Sequence, residues 1–310
     1  MGGLAGMKKW TRRNCIALLS GAVFLFQLMA PHARAESEPQ NLGLFILGKP
    51  GTHGFEGLFD SAHQSLSRVL AMNGFDAETA QMVFNENPSI GKNHYSCERA
   101  SLEKNISAAA KRGSYDSVVL FIAGHANGRD EDAFFHLPGQ DIRYQELIDL
   151  IQQIHAKHWI VVVAAAQGQV WVKEFSGKNR IVIAGNGQRE FDFMPVQFLT
   201  LFPRMFEQAS LWHVQNAAVE AAPKPISLAE VFFLTARAVH RWYADNNLLA
   251  TEEPVLEADG DGTAVSAWPE KTKEGLRESE VLKASPIWVK EAVPANKILF
   301  SMSGSGGNQR

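Results

Sequence analysis

Short apolar runs alternate with amphipathic stretches along most of the chain. Residues 42–47, 117–123 and 159–165 are apolar almost throughout, and a shorter run covers 180–184. Runs of this length, without polar alternation, predict strands buried on both faces. Between them the period changes. Leu58, Phe59, Ala62, Leu66, Val69 and Leu70 recur at helical spacing, which predicts a helix over 56–72 that Asn73-Gly74 ends. Helices are also predicted over 97–112, stopped by Gly113, and over 144–154, with a further strand over 80–84. Ser227-Leu-Ala-Glu230 has the spacing of a capping box, in which each side chain satisfies a free backbone N–H at the start of a helix. Val231, Leu234, Ala238 and Trp242 share one face of the helix it opens. Continuous apolar strands separated by helices predict an α/β fold, a mostly parallel sheet with helices on both faces.

The N-terminus follows different rules. A basic stretch from Lys8 to Arg13 precedes an apolar run over 16–30, and Ala33-Arg34-Ala35 supplies a small-x-small cleavage pattern. Residues 1–35 therefore read as a secretory signal peptide, which puts the mature chain in the periplasm or outside the cell. The apolar run is shorter than the roughly 20 residues of a membrane span. Membrane contact is expected only through this segment, if it stays uncleaved. Thr11-Arg12-Arg13 hints at twin-arginine export. The signal holds five of the 30 basic residues and none of the 33 acidic ones, so the mature chain carries 25 against 33. An acidic chain excludes nucleic acid as a partner, because phosphate binding needs a basic face. Loss of Cys15 with the signal leaves Cys97 alone, which excludes an internal disulfide. The composition divides the chain into the signal (1–35), an α/β domain (36–250) and an acidic C-terminal extension (251–310). The Gly/Ser tail from residue 303 is expected to be disordered.

In open parallel sheets chemistry sits past the carboxyl ends of strands. One apolar strand ends in Gly124-His125-Ala126-Asn127, and the next in Ala164-Ala165-Ala166-Gln167-Gly168. A strand ending in Gly-His, then a helix, then a strand ending in a small-residue turn with Gly resembles the caspase/legumain-like cysteine peptidases. The strand over 180–184 with Gly185-Asn-Gly187, the segment Phe134-Phe-His-Leu-Pro138 and the helix over 227–246 also resemble that family, in the same order along the chain. The resemblance implies that His125 is the family's base and that a nucleophilic Cys belongs on the second turn. Aligned on Gly168, that place is held by Ala165, and one residue either way gives Ala164 or Ala166. Alanine supplies no thiolate or other nucleophile. The expected product is a pseudopeptidase that retains His125 and binds a peptide or protein partner through Gly124, Ala126, Asn127, Gln167 and Gly168 around the vacated Ala165. The Ala126 N–H remains a possible oxyanion donor. The alternative is an active hydrolase that brings Cys97 or a hydroxyl to His125 from elsewhere.

The other signals change this little. The mature chain has nine histidines, but only His155 and His158 are close in sequence and no metal-ligand motif is present. Neither a metal nor a cofactor is expected. Glu257-Ala-Asp259-Gly-Asp261-Gly262 resembles the opening of a calcium loop, but its twelfth position is Trp268 rather than Glu. It reads as a surface turn. Gly48 to Gly54 lacks a phosphate-loop ending, and the resemblance to the caspase/legumain-like family implies that it forms a cleft wall; Gly185 to Arg189 reads as a second border of the cleft or a plain turn. Phe191, Phe193, Phe198, Phe202 and Phe206 read as core.

Overall fold

A computed structural model describes residues 40–88, 91–128, 132–187, 193–216, 226–266 and 299–300. The signal segment, the Gly/Ser tail and Trp268 lie outside these residues. In chain order the elements are β1 (Asn41–Leu47), α1 (His53–Met72), β2 (Gln81–Asn85), β3 (His94–Ser96), α2 (Arg99–Ala110), β4 (Tyr115–Gly124), β5 (Ala126–Asn127), β6 (Phe134–Phe135), β7 (Ile142–Arg143), α3 (Tyr144–Gln152), β8 (Ala156–Ala165), α4 (Gly168–Phe175), β9 (Arg180–Ala184), α5 (Val196–Asn216), β10 (Ile226–Ser227), α6 (Leu228–Asp245), β11 (Val255–Glu257), β12 (Val265–Ser266) and β13 (Leu299–Phe300).

The apolar runs become the centre of one sheet, ordered β12-β11-β9-β8-β4-β1-β2-β3. From β9 to β3 every neighbouring pair is parallel, while β11 and β12 join antiparallel at the edge. Alternate strand residues feed two separate cores. Phe45, Phe121, Val162 and Ile183 pack under α1, α5 and α6. Leu44, Leu120, Val161 and Val182 pack on the opposite face under α2, α3 and α4. Two covered faces explain the absence of polar alternation in the strands. The expected α/β architecture, mostly parallel with helices on both faces, is what the chain forms. The capping box at Ser227 and Glu230 is present with both of its hydrogen bonds. Among the described residues no helix is long and apolar enough to cross a membrane.

The sheet does not stop at residue 250. Residues 255–257 pair with β9, and Leu256 is fully buried between them and the helices. Glu252 reaches back across the domain: its carboxylate accepts hydrogen bonds from the Gln197 and Phe198 N–H groups, at 2.9 and 2.8 Å, and from the Tyr243 hydroxyl at 3.0 Å. The stretch that composition sets apart as an acidic extension thus begins as part of the core.

Candidate functional site

Sheet order runs outward in both directions from the boundary between β1 and β4. At such a switch point the loops after the two strands diverge to opposite faces and leave a crevice. The loop after β1 leads to α1 on one face, and the chain after β4 leads through β5, β6 and β7 to α3 on the other. His125, half-buried, is the first residue beyond β4. Its Nε2 lies 3.1 Å from the Pro50 carbonyl oxygen, and its ring meets Phe55 edge-on at 5.0 Å. A carbonyl only accepts, so Nε2 must be the donor. In the neutral ring this leaves Nδ1 as the proton-accepting nitrogen, with the imidazole oriented by a third group in the manner of a catalytic base. The backbone on either side is fixed as well. Gly48 N–H donates to the Ala123 carbonyl, and His136 N–H donates to that of His125.

The second strand tip is next to the first. Gly124 and Ala165 are the last cross-strand partners of β4 and β8, so His125 and Ala166 are the first residues beyond two adjacent strand tips. The pleat decides which alanine faces the imidazole. A β-carbon on Gly124 would strike the Phe135 ring at 2.6 Å, so position 124 points to the α3 face. Its partner Ala165 points the same way and packs in that core, while Ala123 and Ala164 point to the α1 face. His125 meets Phe55 of α1 and therefore alternates to the α1 side. Ala165 thus faces away from the side on which His125 meets Phe55, and Ala166 follows it in the bend beyond the end of β8. Ala164, Ala165 and Ala166 are all fully buried.

The turn after β8 is tight. Gln167 is buried with φ +58° and ψ +41°, a left-handed conformation that costs a non-glycine residue about 1 kcal/mol or more. Gln169 Nε2 donates to its Oε1 at 3.0 Å, and the Tyr144 hydroxyl donates to the Ala166 carbonyl at 2.8 Å. Gly168 opens α4 directly afterwards. A β-carbon there would come within 2.3 Å of the Asn186 carbonyl oxygen, so glycine is required for the helix to start against the turn after β9. Ala126 is half-buried and pairs with Phe135, whereas Asn127 is exposed. Beside this turn lies a groove of about 1070 Å³ whose walls include Arg143, Gln169, Lys173, Gly187, Val255 and Thr263.

Cys97 is elsewhere. It follows β3, three strands from β4 and so about 14 Å away across the sheet. It is fully buried beneath α2, and that burial pushes the thiol well above its ordinary pKa. A neutral, enclosed thiol is not a partner for His125. The Pro50 carbonyl, the Phe55 edge and the strain at Gln167 are features that sequence patterns do not expose, because each depends on contacts between separate loops.

No protein-family model matches the chain, and no curated protein matches it. Among solved structures, the Drosophila initiator caspase Dronc is similar with a TM-score of 0.41 and 11% identity, over 70% of this chain and 78% of that one. A protein from Geobacter sulfurreducens gives 0.39 and 13%, covering 71% and 93%. Caspase-1 of Spodoptera frugiperda gives 0.38 and 11%, covering 71% and 87%. Identities of this size transmit no residue roles.

Proposed function

We propose that the chain is an exported domain of caspase/legumain-like form that binds a peptide-like partner and does not cleave it. The observation that carries this reading is the pairing of an oriented imidazole with a methyl group. His125 is held by Pro50 as a base would be, at the end of β4, and the adjacent tip of β8 carries only Ala164, Ala165 and Ala166. Proton acceptance without a nucleophile starts no acyl transfer. The groove beside the turn has both charged and apolar walls, as an extended segment of peptide would need, although its walls are formed from the α3 and α4 side and do not include His125. Gly124, Ala126, Asn127, Gln167 and Gly168 line or shape the two tips and are the residues assigned to that binding. The signal-like segment over residues 1–35 supports a partner outside the cytoplasm.

The experiment is a screen of a tagged peptide library against the purified protein, with bound and cleaved species separated by mass spectrometry. Bound peptides are expected to be recovered intact. His125→Ala, which removes a polar group of the crevice, should weaken the best binder about tenfold, the scale of one hydrogen bond to a partly buried partner. Peptide fragments that appear with wild type and vanish with His125→Ala would overturn the proposal.

A further inference from the structure

The turn between β11 and β12 is exposed at its tip, as expected of a surface turn, but its base is not. Glu257, its first acid, is fully buried. Oε1 of Glu257 accepts the Gly260 N–H at 2.6 Å, but Oε2 is closed off from solvent with no hydrogen-bond donor. The Ser176 side chain, arriving from the end of α4, and the Gly262 N–H are both near enough to favour the charged form of Glu257, yet neither forms a hydrogen bond with Oε2, and Ser176 Oγ is likewise buried without a partner. A buried carboxylate oxygen without a donor costs free energy unless something positive meets it. Burial accordingly pushes the Glu257 pKa up, with Asp259 adding to the effect.

Around that oxygen the geometry is that of a cation cradle. One ligand oxygen each from Glu257, Asp259 and Asp261 lies within 4.8 Å of the others. Oxygens that share a calcium ion at about 2.4 Å lie at most about 4.8 Å apart, so the three are close enough to share one ion. An all-oxygen set without His or Cys selects the hard alkaline-earth ions over transition metals. The remaining backbone is already in place: Asp259 Oδ1 accepts the Asp261 N–H at 3.0 Å and Asp261 Oδ1 accepts the Thr263 N–H at 2.7 Å.

We propose that Glu257, Asp259 and Asp261 bind a calcium ion, which joins the β11–β12 turn to the loop after α4. Gly262 and Thr263 belong to the wall of the groove, so the ion would hold that wall in position. The site is independent of the function proposed above and stands whether or not a peptide binds. Three carboxylates without a bidentate twelfth ligand correspond to the weak end of calcium sites, with a Kd of about 10⁻⁴ M or above, the range of extracellular modules.

The test uses the full chain, stripped with chelator and titrated with calcium chloride alone by calorimetry and thermal melting. One saturable site is expected, with a rise in Tm of about 5 °C at a hundredfold excess over Kd. Asp259→Asn combined with Asp261→Asn should weaken binding more than tenfold and abolish the rise, while its calcium-free Tm stays at or above that of wild type because like charges have been removed. Glu257→Gln should abolish the rise as well. Absence of saturable binding to wild type, binding that survives the double substitution, or an equal response to magnesium would each overturn the site.

Discussion

Replacing Glu252 with alanine is expected to destabilise the fold by about 3–5 kcal/mol, the scale of removing one partner of a buried charged network. Glu252 caps the first turn of α5 from 54 residues away in sequence: its two carboxylate oxygens take the Gln197 and Phe198 N–H groups, and Tyr243 donates to the same carboxylate. Glu252 is only 8% exposed, so water cannot replace it at these donors. Its burial raises its pKa, against which all these hydrogen bonds act. Glu252→Gln keeps one acceptor and turns an amide N–H toward the other donor, so it should cost roughly half as much. Chemical denaturation will read the effect as a lower midpoint at unchanged slope. A loss below about 1 kcal/mol would mean that the α5 N-terminus finds other partners.

Acidification should destabilise the protein before its carboxylates titrate. His63 of α1 packs edge-on against Phe45 at 4.8 Å and faces His94 at 6.0 Å. Burial, and secondarily His94, push the His63 pKa from 6.5 to about 4. The folded chain therefore keeps the ring neutral while the unfolded chain gains a proton below pH 6.5. The stabilisation is complete above that pH, falls as pH drops toward 4 and levels off below it. Between pH 7 and pH 5 the loss should be about 2 kcal/mol, within a total on the order of 3 kcal/mol. His63→Gln should flatten the stability profile over this window. An unchanged slope in that variant would show that another group carries the titration.

How much of this was legible beforehand depended on whether a feature was local. The strands over 117–123 and 159–165 and the helix opened by Ser227 follow from runs of neighbouring residues, and all are present with small shifts at their ends. β3, β5 and β7 escaped because two or three residues make no pattern, whereas β6 falls in the segment Phe134-Phe-His-Leu-Pro138 that the family resemblance marks as a hairpin. β11 and β12 escaped for a different reason: Glu257 and Asp259 make the stretch look solvated, although Glu257 is buried in the protein. At the site, the adjacency of the Gly124 and Ala165 tips was anticipated by the rule for open parallel sheets. The face to which each tip residue points was not, because it depends on the phase of the pleat, which only the packing of Phe135 and Phe55 reveals. Nor does any sequence signal connect Pro50 to His125, since their contact spans 75 residues.

The proposed function requires that His125 meet an alanine on the turn after β8 where a nucleophile would otherwise act. The most direct measurement restores it. Wild type, Ala165→Cys and Ala166→Cys are treated with thiol-directed peptide probes, and the labelled residue is located by mass spectrometry. Wild type and Ala165→Cys should remain unlabelled at the crevice. Ala166→Cys should react, and adding His125→Ala should suppress that reaction. Labelling of wild type that depends on His125, or a reactive cysteine at 165 and an inert one at 166, would contradict it.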